Sequence, residues 1–517
     1  MKKNKSIRLP SYIEAILPII TMVSLMIYIF VFAKKEVNGK LESIYDSAHM
    51  PLICGIIIAC LVGMKCGHSF KDMLSGMIDR ITTTLDAILI LLTVGLLISS
   101  FMISGTIPAL IYYGLEFLNP KLFLPIGCII TGIVGLACGS SWTATATIGI
   151  AFMTIGEGLG ISPAITAGMV ISGAYVGDKF SPLSDTTNLA AAVSETALFD
   201  HVRAMISSTG PVFIISLFIY TILGFRANVI NYDPSVAEGI KTSLANNFNL
   251  NPLVLLPILI IVLVCVLRIE GLAGVMISVF VGIIFSQIFQ ETKSIAEIFS
   301  ILHYGPEIET GNDFVDQALA KGGMDNQMWT INLILLAVSF GGALEKSGAI
   351  EKLFSKLKEK INSIGGLVLT TMATSIFCDA TMCDQFLGIG VPAPLYEDKY
   401  DKMGLSRNYL SRTLEDAGTL WAVMFPWTAC GAYQMKTLGV SPIYYFPFAF
   451  VNLLNPLYAL ITAYFKRNIF WADGSYTNIF GKTKMKKKAH SPKEIEIYAT
   501  NQLDKLRKEG KAPKISL

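Results

Sequence analysis

The chain has 517 residues, of which 53% are hydrophobic and 15% are charged, and its formal net charge is +3. A soluble globular protein has about 25% charged residues, so the composition excludes an ordinary soluble enzyme. It also excludes collagen, a disordered chain and a small disulfide scaffold. A surface that faces lipid needs almost no charge, and the sequence therefore predicts an all-α polytopic membrane protein.

Apolar runs predict about ten transmembrane helices, because an α-helix needs about 20 apolar residues to cross a bilayer. Runs of that length, or nearly so, lie at residues 11–33, 50–64, 84–104, 163–177, 210–225, 252–268, 271–290, 329–345 and 443–465, and a more polar run lies at 406–430. Two further apolar segments, 122–157 and 363–394, are predicted to be re-entrant hairpins. The first is interrupted at Gly139, Ser140 and Ser141, and the second at Asp379 and Thr381.

Charged loops orient these spans, because Lys and Arg concentrate on the cytoplasmic side of a membrane. Basic residues place segment 1–10 and loop 346–362 inside, whereas seven acidic residues against two lysines place loop 291–328 outside. With ten spans and two hairpins that return to the side they entered, both termini are cytoplasmic. The halves then form inverted-topology repeats with broken helices, the second starting about 245 residues after the first.

These spans divide the chain into six predicted parts. They are a cytoplasmic N-terminus (1–10), N-terminal accessory spans (11–83), transport repeat 1 (84–226), connecting spans with an acidic extracytoplasmic loop (227–328), transport repeat 2 (329–465) and a basic cytoplasmic tail (466–517). The tail has 13 Lys and Arg against 5 Asp and Glu, which is typical of a solvated segment that fixes topology or of one that touches anionic lipid. Nucleic-acid binding is not predicted, because no folded domain accompanies these charges.

Four polar stretches inside the apolar segments are the candidate transport site, and they begin at Gly139, Gly177, Cys378 and Ser411. Unwound backbone survives in a membrane only where protein or a water-filled cavity covers it. Nine scattered cysteines form no CxxC pair and predict neither a zinc site nor a disulfide framework. The five histidines fall in predicted loops or at the flanks of spans, so none is placed as a buried proton relay.

Two carboxylates in these stretches, Asp185 and Asp384, are the predicted metal ligands, since ionisable residues within spans are functional by default. Side chains with oxygen atoms, which small hard cations prefer, follow them directly: Thr186, Thr187, Asn188 and Gln385. Burial disfavours a charged carboxylate and a bound cation favours it, so a proton and a cation compete for the same group. That competition suffices for exchange if the loaded site changes sides and the empty charged site does not.

Five further candidates have a structural interpretation beside the functional one: Ser140, Ser141, Thr143, Asp178 and Asp416. The three hydroxyl residues either line the site or only satisfy backbone groups and hold helices together. Asp178 is either a site residue or, with the adjacent Lys179, an interfacial pair. Asp416 either binds an ion or forms a structural ion pair with Arg412, one turn earlier.

At these stretches the sequence resembles the NhaC-type Na⁺/H⁺ antiporters of the ion transporter superfamily. The similarity lies in four strings: ITAGMVISGAYVGDKFSPLSDTTNLA from Ile165, LSRTLEDAGT from Leu410, PWTACGAY from Pro426 and FVNLLNPL from Phe450. It extends over about residues 11–470. The resemblance implies secondary transport on an inverted-repeat fold, and the ion-site candidates Asp185 to Asn188, Asp384 and Gln385 match polar motif positions.

Three departures from the family pattern leave the substrate open. Thr143 stands where the family commonly has Gly, and Thr428 stands where it usually has Asn. The family also has a segment similar to T-T-S-D-Q, and in this chain residues 381–385 have the sequence T-M-C-D-Q instead. Each change alters an oxygen ligand or the space beside one. Relatives that look similar exchange organic acids such as malate and lactate together with Na⁺ and H⁺.

The sequence therefore predicts a multi-pass Na⁺/H⁺ antiporter of the cell membrane that exchanges cytoplasmic Na⁺, or Li⁺, for external H⁺. The alternative is a Na⁺- or H⁺-coupled antiporter or symporter for an organic anion or another metabolite, of the malate or lactate type. An enzyme is not predicted, because the chain has no Ser-His pairing and no HExxH helix, and no cofactor beyond the transported ions is expected. The expected partners are these ions, the organic anion of the alternative and membrane lipid, and a homodimer stays open.

Overall fold

A computed structural model of the chain describes residues 7–37, 40–44, 47–227, 234–267, 269, 271–312, 315–316, 319–320, 322–354 and 361–485. Three parts of the charge pattern lie outside these residues: Lys2, Lys3 and Lys5, the lysines at 356, 358 and 360, and the tail after residue 485.

The described residues are mainly helical, as predicted, and every predicted apolar segment contains helix. The α-helices are Tyr12–Ile27, His49–Lys65, Phe70–Ile103, Thr106–Phe117, Phe123–Cys138, Ser141–Ala144, Ile150–Gly158, Pro163–Phe180, Asp185–Val193, Leu198–Ala227, Pro234–Asn247, Leu256–Val266, Gly271–Phe289, Ile295–Tyr304, Met328–Lys346, Ala349–Phe354, Ile364–Met382, Gln385–Gly390, Pro392–Lys402, Arg407–Leu414, Leu420–Ala422, Ala429–Leu438, Pro442–Tyr445 and Phe450–Tyr464. Wider π-helical turns lie at Tyr28–Phe32, Thr145–Gly149 and Glu415–Thr419.

Five short strands were not predicted. Lys34–Val37 pairs antiparallel with Lys40–Ser43. Ile469–Phe470, Ser475–Thr477 and Thr483–Met485 form a three-stranded antiparallel sheet, which we call the C-terminal sheet. The beginning of the basic tail therefore forms a small sheet, in which residues 472, 473 and 479–484 are exposed.

Several helices are long and apolar enough to cross a membrane, which agrees with a polytopic membrane protein. Within the described ranges, four helices meet this criterion by themselves, and up to seven spans result if each bent pair of helices counts as one. The bent pairs include Pro234–Asn247 with Pro252–Val264 and Pro442–Phe448 with Phe450–Tyr464. The number of ten full spans is not confirmed.

Both interrupted segments fold into hairpins. In hairpin 1 (residues 123–158), Phe123 at the beginning packs edge-on against Phe152 near the end, with ring centroids 5.9 Å apart. In hairpin 2 (residues 364–402), the Thr374 hydroxyl lies 2.7 Å from the hydroxyl of Tyr396 on the returning arm. Each chain segment thus returns to the side from which it came.

The tips of the hairpins are left-handed residues followed by a side-chain helix cap. Gly139 (φ +63°) precedes Ser140, and Cys383 (φ +60°) precedes Asp384. The first break lies where it was predicted, but the second lies at Cys383 and Asp384, because Asp379 and Thr381 are still inside helix Ile364–Met382.

Two interrupted helices cross the hairpin tips. Broken helix 1 joins Pro163–Phe180 to Asp185–Val193, and its break lies against Gly139. Broken helix 2 joins residues 407–422 to Ala429–Leu438, and the Ala429 N–H donates to the Cys383 carbonyl at 3.0 Å. Ser184 and Thr428 cap the second parts of these helices.

The same order of backbone features occurs twice, at a constant separation of 244 residues. That separation relates Gly139 to Cys383, Ser140 to Asp384 and Ser184 to Thr428. The helices that follow, Leu198–Ala227 and Phe450–Tyr464, run antiparallel. Tyr220 near the end of the former contacts Phe450 at the start of the latter, with ring centroids 5.0 Å apart, and Ser207 near its start bonds to Asn468 beyond the end of the latter.

Loops predicted to share a side do lie together. The Arg8 N–H donates to the Cys66 carbonyl at 3.0 Å, and Gly348 lies against Leu9. At the other end of helix Met328–Lys346, Trp329 lines an open cavity of about 750 Å³ together with Pro163 and Tyr444. The first group was predicted inside and the second outside.

We predict that Gly177→Ala lowers the thermal unfolding midpoint in detergent. Hairpin 1 and broken helix 1 pack through glycines, and a Cβ at Gly177 would overlap the carbonyl oxygen of Gly132. Such overpacking costs about 1–3 kcal/mol. The matched control is Gly210→Ala, where the nearest atom is 3.9 Å from the added Cβ, so the better helix propensity of alanine leaves the midpoint unchanged or raised. Equal effects of the two variants would contradict this packing.

Candidate ion-binding site

The tip of hairpin 1 is held by a buried carboxylate. Asp178 on broken helix 1 accepts a hydrogen bond from the Ser141 N–H at 3.0 Å, and the Ser140 hydroxyl accepts one from the Thr143 N–H at 3.2 Å. Asp178 is 5% exposed and Lys179 is fully buried, so the interfacial interpretation of this pair is wrong. The three hydroxyl residues at the tip lie beside a charged group, although Ser140 also serves as a cap.

The break of broken helix 1 differs from the expectation. Asp185, the first residue after the cap, is exposed, so its predicted burial is wrong. Asn188 is exposed as well, and its side-chain amide donates to the carbonyls of Pro182 at 3.0 Å and Ser184 at 2.7 Å. That amide therefore satisfies the free carbonyls of the break.

Thr186 and Thr187 are buried and close the same break. The Thr187 hydroxyl donates to the Lys179 carbonyl at 3.3 Å, and the Thr186 hydroxyl lies 3.0 Å from that of Ser184. Ser184 also interacts with the Asp178 carboxylate. A row of hydroxyl groups thus connects the break to Asp178.

The tip of hairpin 2 presents Asp384 in the position that Ser140 has in hairpin 1. Asp384 is 5% exposed, and its Oδ1 accepts a hydrogen bond from the Phe386 N–H at 2.7 Å. The neighbouring Gln385 is buried, and its Oε1 has no hydrogen-bond partner among the described residues. The predicted ligands Asp384 and Gln385 therefore do lie at a buried break.

Asp379 is a functional candidate that the sequence treated only as a helix breaker. It lies one turn before the hairpin tip, is fully buried, and neither carboxylate oxygen has a hydrogen-bond partner within the described ranges. Its Oδ1 fills the space that a Cβ at Gly388 would take. The signal in the sequence that could have identified Asp379 is the presence of an acidic residue within an apolar segment.

Asp416 on the π-helical turn of broken helix 2 joins the two halves. Its Oδ1 accepts hydrogen bonds from Lys179 Nζ at 2.7 Å, Ser208 Oγ at 3.0 Å and Asn455 Nδ2 at 2.8 Å. Lys179 and Asp416 are both fully buried. Arg412 Nε is 3.6 Å from the other oxygen, Oδ2, which is the predicted ion pair. Lys179, from the other half of the chain, is nearer to Asp416 than Arg412 is.

Glu415, next to Asp416, completes this group. It is fully buried, and both its oxygens lack a hydrogen-bond partner in the part of the chain that the structure describes. It interacts electrostatically with Lys179 and with Asp178. A π-helical turn is wider than an α-helical one and is frequent at functional sites, and here it places two adjacent acids toward the interior.

The two hairpin tips are connected through buried side chains. Trp142 of hairpin 1 stacks on Tyr433 of broken helix 2 with ring centroids 4.5 Å apart, and the Tyr433 hydroxyl donates to the Trp142 carbonyl at 2.9 Å. Cys430 interacts with Tyr175 and Trp142 on one side and with Asp384 on the other. Gly418 of the π-helical turn packs against Gly388, which adjoins Asp379. Packed side chains therefore connect the two hairpin tips and the π-helical turn.

His201 was expected in a flank, but it is fully buried in helix Leu198–Ala227. Its Nδ1 lies 2.7 Å from the Ser411 hydroxyl, one residue before Arg412. The helix begins twelve residues before the predicted span, and this extension carries His201 into the interior.

The chemistry of this interior suits a small hard cation. The described residues contain no group of three or more His, Cys, Asp and Glu side chains arranged to hold a metal ion. An all-oxygen site for a hard cation can be built from one or two carboxylates together with hydroxyls, amides and backbone carbonyls. Both halves offer that combination beside their breaks.

Comparisons with known proteins agree with this chemistry. The Na⁺/H⁺ antiporter family matches residues 1–187 and 173–467. The chain is 37% identical to the Na⁺/H⁺ antiporter NhaC of Alkalihalophilus pseudofirmus over 80% of this chain and 90% of that protein. It is 33% identical to the malate-2H⁺/Na⁺-lactate antiporter of Bacillus subtilis (91% and 98% covered) and 35% identical to the arginine/ornithine antiporter ArcD of Halobacterium salinarum (90% and 94%).

We predict that Gly388→Ala destabilises the protein and displaces the Asp379 carboxylate, because the added methyl group would overlap Oδ1. We expect a loss of about 1–3 kcal/mol from overpacking, measured by thermal unfolding in detergent. Gly390→Ala, in the same short helix, meets no atom within 4 Å and should unfold like the wild type. If Gly388→Ala also unfolds like the wild type, Asp379 does not occupy this position.

Proposed function

Because the chain belongs to the Na⁺/H⁺ antiporter family, we propose that it exchanges cytoplasmic Na⁺ for external H⁺ by competition at buried carboxylates. Like its relatives, which are antiporters, it is a transporter and not an enzyme. The proposal further places the protein in the cell membrane with both termini in the cytoplasm, as the loop charges predict.

The observation that carries this proposal is an excess of buried acid. The buried Asp, Glu, Lys and Arg side chains of the described residues are five carboxylates and two bases. They are Asp178, Asp379, Asp384, Glu415 and Asp416 on one side and Lys179 and Arg412 on the other. Isolated charges in a low-dielectric interior are too costly to remain unneutralised. With all groups ionised, three negative charges need protons or cations, and a Na⁺/H⁺ exchanger supplies both in turn.

The placement of the two bases favours a cation as substrate. Lys179 is occupied by Asp416, and Arg412 Nη1 donates to the Asn468 carbonyl at 3.0 Å while its guanidinium lies 4.4 Å above the Tyr409 ring. An organic anion would need a base that is available to it. Arg412 Nε and Nη2 have no hydrogen-bond partner among the described residues, but Nε faces Asp416 Oδ2 at 3.6 Å. The carboxylates of Asp379 and Glu415 also lack a partner there and offer acceptor oxygens to a cation.

The repeated backbone supports alternating access. Equivalent helices run antiparallel, and broken helices meet the hairpin tips in both halves, which is the arrangement of inverted-repeat transporters with a site near the bilayer midplane. In the proposed cycle, the carboxylates bind either Na⁺ or H⁺, and only the neutralised site changes sides. The Lys179 to Asp416 pair then couples the movement of one half to the other.

We predict that Asp379→Asn and Asp384→Asn each reduce exchange roughly tenfold or more, because each removes a group for which Na⁺ and H⁺ compete. Proteoliposomes with an imposed proton gradient measure this as the rate at which added Na⁺ dissipates the gradient. Asp473→Asn, an exposed residue of the C-terminal sheet, is the control. Asp379→Asn should unfold no earlier than the wild type, because it removes an unpaired buried charge.

Normal exchange by both variants would overturn the assignment of the ion site. A wild type that ignores Na⁺ and Li⁺ but responds to malate, lactate or an amino acid would replace the proposed function with metabolite exchange, as the names of two relatives suggest.

We predict a different effect for Asp185→Asn. Asp185 interacts electrostatically with Asp178 from an exposed position, so we place it at the entrance to the site, where a negative charge raises the local concentration of Na⁺. Its removal should raise the Na⁺ concentration for half-maximal exchange and leave the maximal rate unchanged. A complete loss of exchange would instead make Asp185 a direct ligand.

A further inference from the structure

We propose that Asn468, at the start of the C-terminal sheet, is a positioning residue for the ion site, and that it acts by holding Arg412 away from Asp416. This inference rests on the proposed function, in which Asp416 belongs to the ion site. It assigns a role in transport to a segment that follows the last membrane helix.

The side chains of Arg412 and Asp416 approach each other closely but form no hydrogen bond. Arg412 Nε is 3.6 Å from Asp416 Oδ2, beyond the usual 2.7–3.2 Å of an N–H···O bond. Neither Asp416 Oδ2 nor Arg412 Nε and Nη2 has a hydrogen-bond partner among the residues described. Two fully buried and oppositely charged groups thus face each other without the bond that their chemistry favours.

The contact that restrains Arg412 comes from Asn468. Arg412 Nη1 donates to the Asn468 carbonyl at 3.0 Å and to Ser207 Oγ at 3.4 Å. Its guanidinium is also 4.4 Å from the ring centroid of Tyr409 and 5.8 Å from that of Phe470. Of these partners, Asn468 and Phe470 lie at the start of the C-terminal sheet, and in our proposal they keep the guanidinium from closing on Asp416.

The identity of residue 468 suits this role. Asn468 is fully buried and left-handed, with φ of +53°, a conformation in which asparagine is enriched among residues other than glycine. Its amide donates to the Ser207 carbonyl at 2.9 Å, and its Oδ1 accepts from the Tyr476 hydroxyl at 2.8 Å. A donor and an acceptor on one short side chain fix the peptide whose carbonyl holds Arg412.

The sheet is itself anchored at the beginning of broken helix 2. The Ser406 N–H donates to the Phe470 carbonyl at 3.0 Å, and the Ala472 N–H donates to the Gly404 carbonyl at 2.9 Å. Leu405 and Trp471 form an antiparallel bridge. Asn468 therefore lies between helix Leu198–Ala227 and the helix that carries Arg412 and Asp416.

The consequence for transport follows from competition. If Arg412 is released, it closes on Asp416 Oδ2 and forms a charge-assisted hydrogen bond, which is stronger than a neutral one. Arg412 and Na⁺ then compete for the same carboxylate. Asn468 thus keeps the affinity for Na⁺ high without touching the ion.

Asn468→Gly tests this directly, because glycine keeps the left-handed backbone and removes both side-chain bonds. In proteoliposomes with an imposed proton gradient, the Na⁺ concentration for half-maximal exchange should rise roughly fivefold, the size expected for one hydrogen bond. The maximal rate per folded protein should stay near that of the wild type. Unchanged half-maximal Na⁺, with only a lower unfolding temperature, would reduce Asn468 to a structural residue and overturn the inference.

A milder variant keeps the test decisive if Asn468→Gly does not fold. Tyr476→Phe removes the hydroxyl that donates to Asn468 Oδ1 and that also interacts with Ser207, a second partner of Arg412. It keeps the Asn468 side chain and should raise half-maximal Na⁺ by a smaller factor. Tyr464→Phe, at an exposed position, is the matched control and should behave like the wild type. A wild type that ignores Na⁺ overturns the proposed function and the inference together, whereas a responsive wild type with unaltered variants overturns the inference alone.

Discussion

The cost of placing negative charge in an interior that lipid surrounds is the constraint on which this structure depends. Burial of one carboxylate beside one base, as for Lys179 and Asp416, gives a neutral pair that can be purely structural. Five buried carboxylates against two bases cannot be neutral by internal pairing. The excess acid of the core must therefore be neutralised by protons or bound cations, and this is the basis of the proposed exchange.

The backbone breaks make that charge tolerable. At each break a side chain caps the following helix: Ser140, Ser184, Asp384 and Thr428. The scaffold repeats after 244 residues, but the chemistry does not. Asp384 replaces a serine of the first half, and the position equivalent to Asp379 is Gly135. Hairpin 2 and the π-helical turn thus hold four of the five buried acids, so the two halves have matching breaks and caps but differ in electrostatics.

The sequence predicted the helical segments, both hairpins and the break of hairpin 1, because apolar length and interrupting polar residues are local signals. It placed the break of hairpin 2 too early, at Asp379 and Thr381. It misplaced features that depend on which way a residue faces. Asp185 and Asp384 stand in similar polar strings, yet one is the first helical residue and is exposed, and the other is the cap and is buried. Asp379 was counted as an interruption, although an unbroken helix with a glycine opposite, Gly388, can house a carboxylate. The C-terminal sheet was missed because its strands have two or three residues each.

The ion pair of Lys179 and Asp416 suggests what the buried bases contribute to a core that has an excess of acid. Lys179 belongs to broken helix 1 and Asp416 to broken helix 2, so their 2.7 Å contact links the two elements that move in the proposed alternating access. Without Lys179 the excess of negative charge would be larger, and the interior would hold protons too tightly to release them for Na⁺. A second base, Arg412, lies close to the same carboxylate without bonding to it. In the proposed exchange, the two bases thus leave part of the negative charge for a cation or a proton to neutralise.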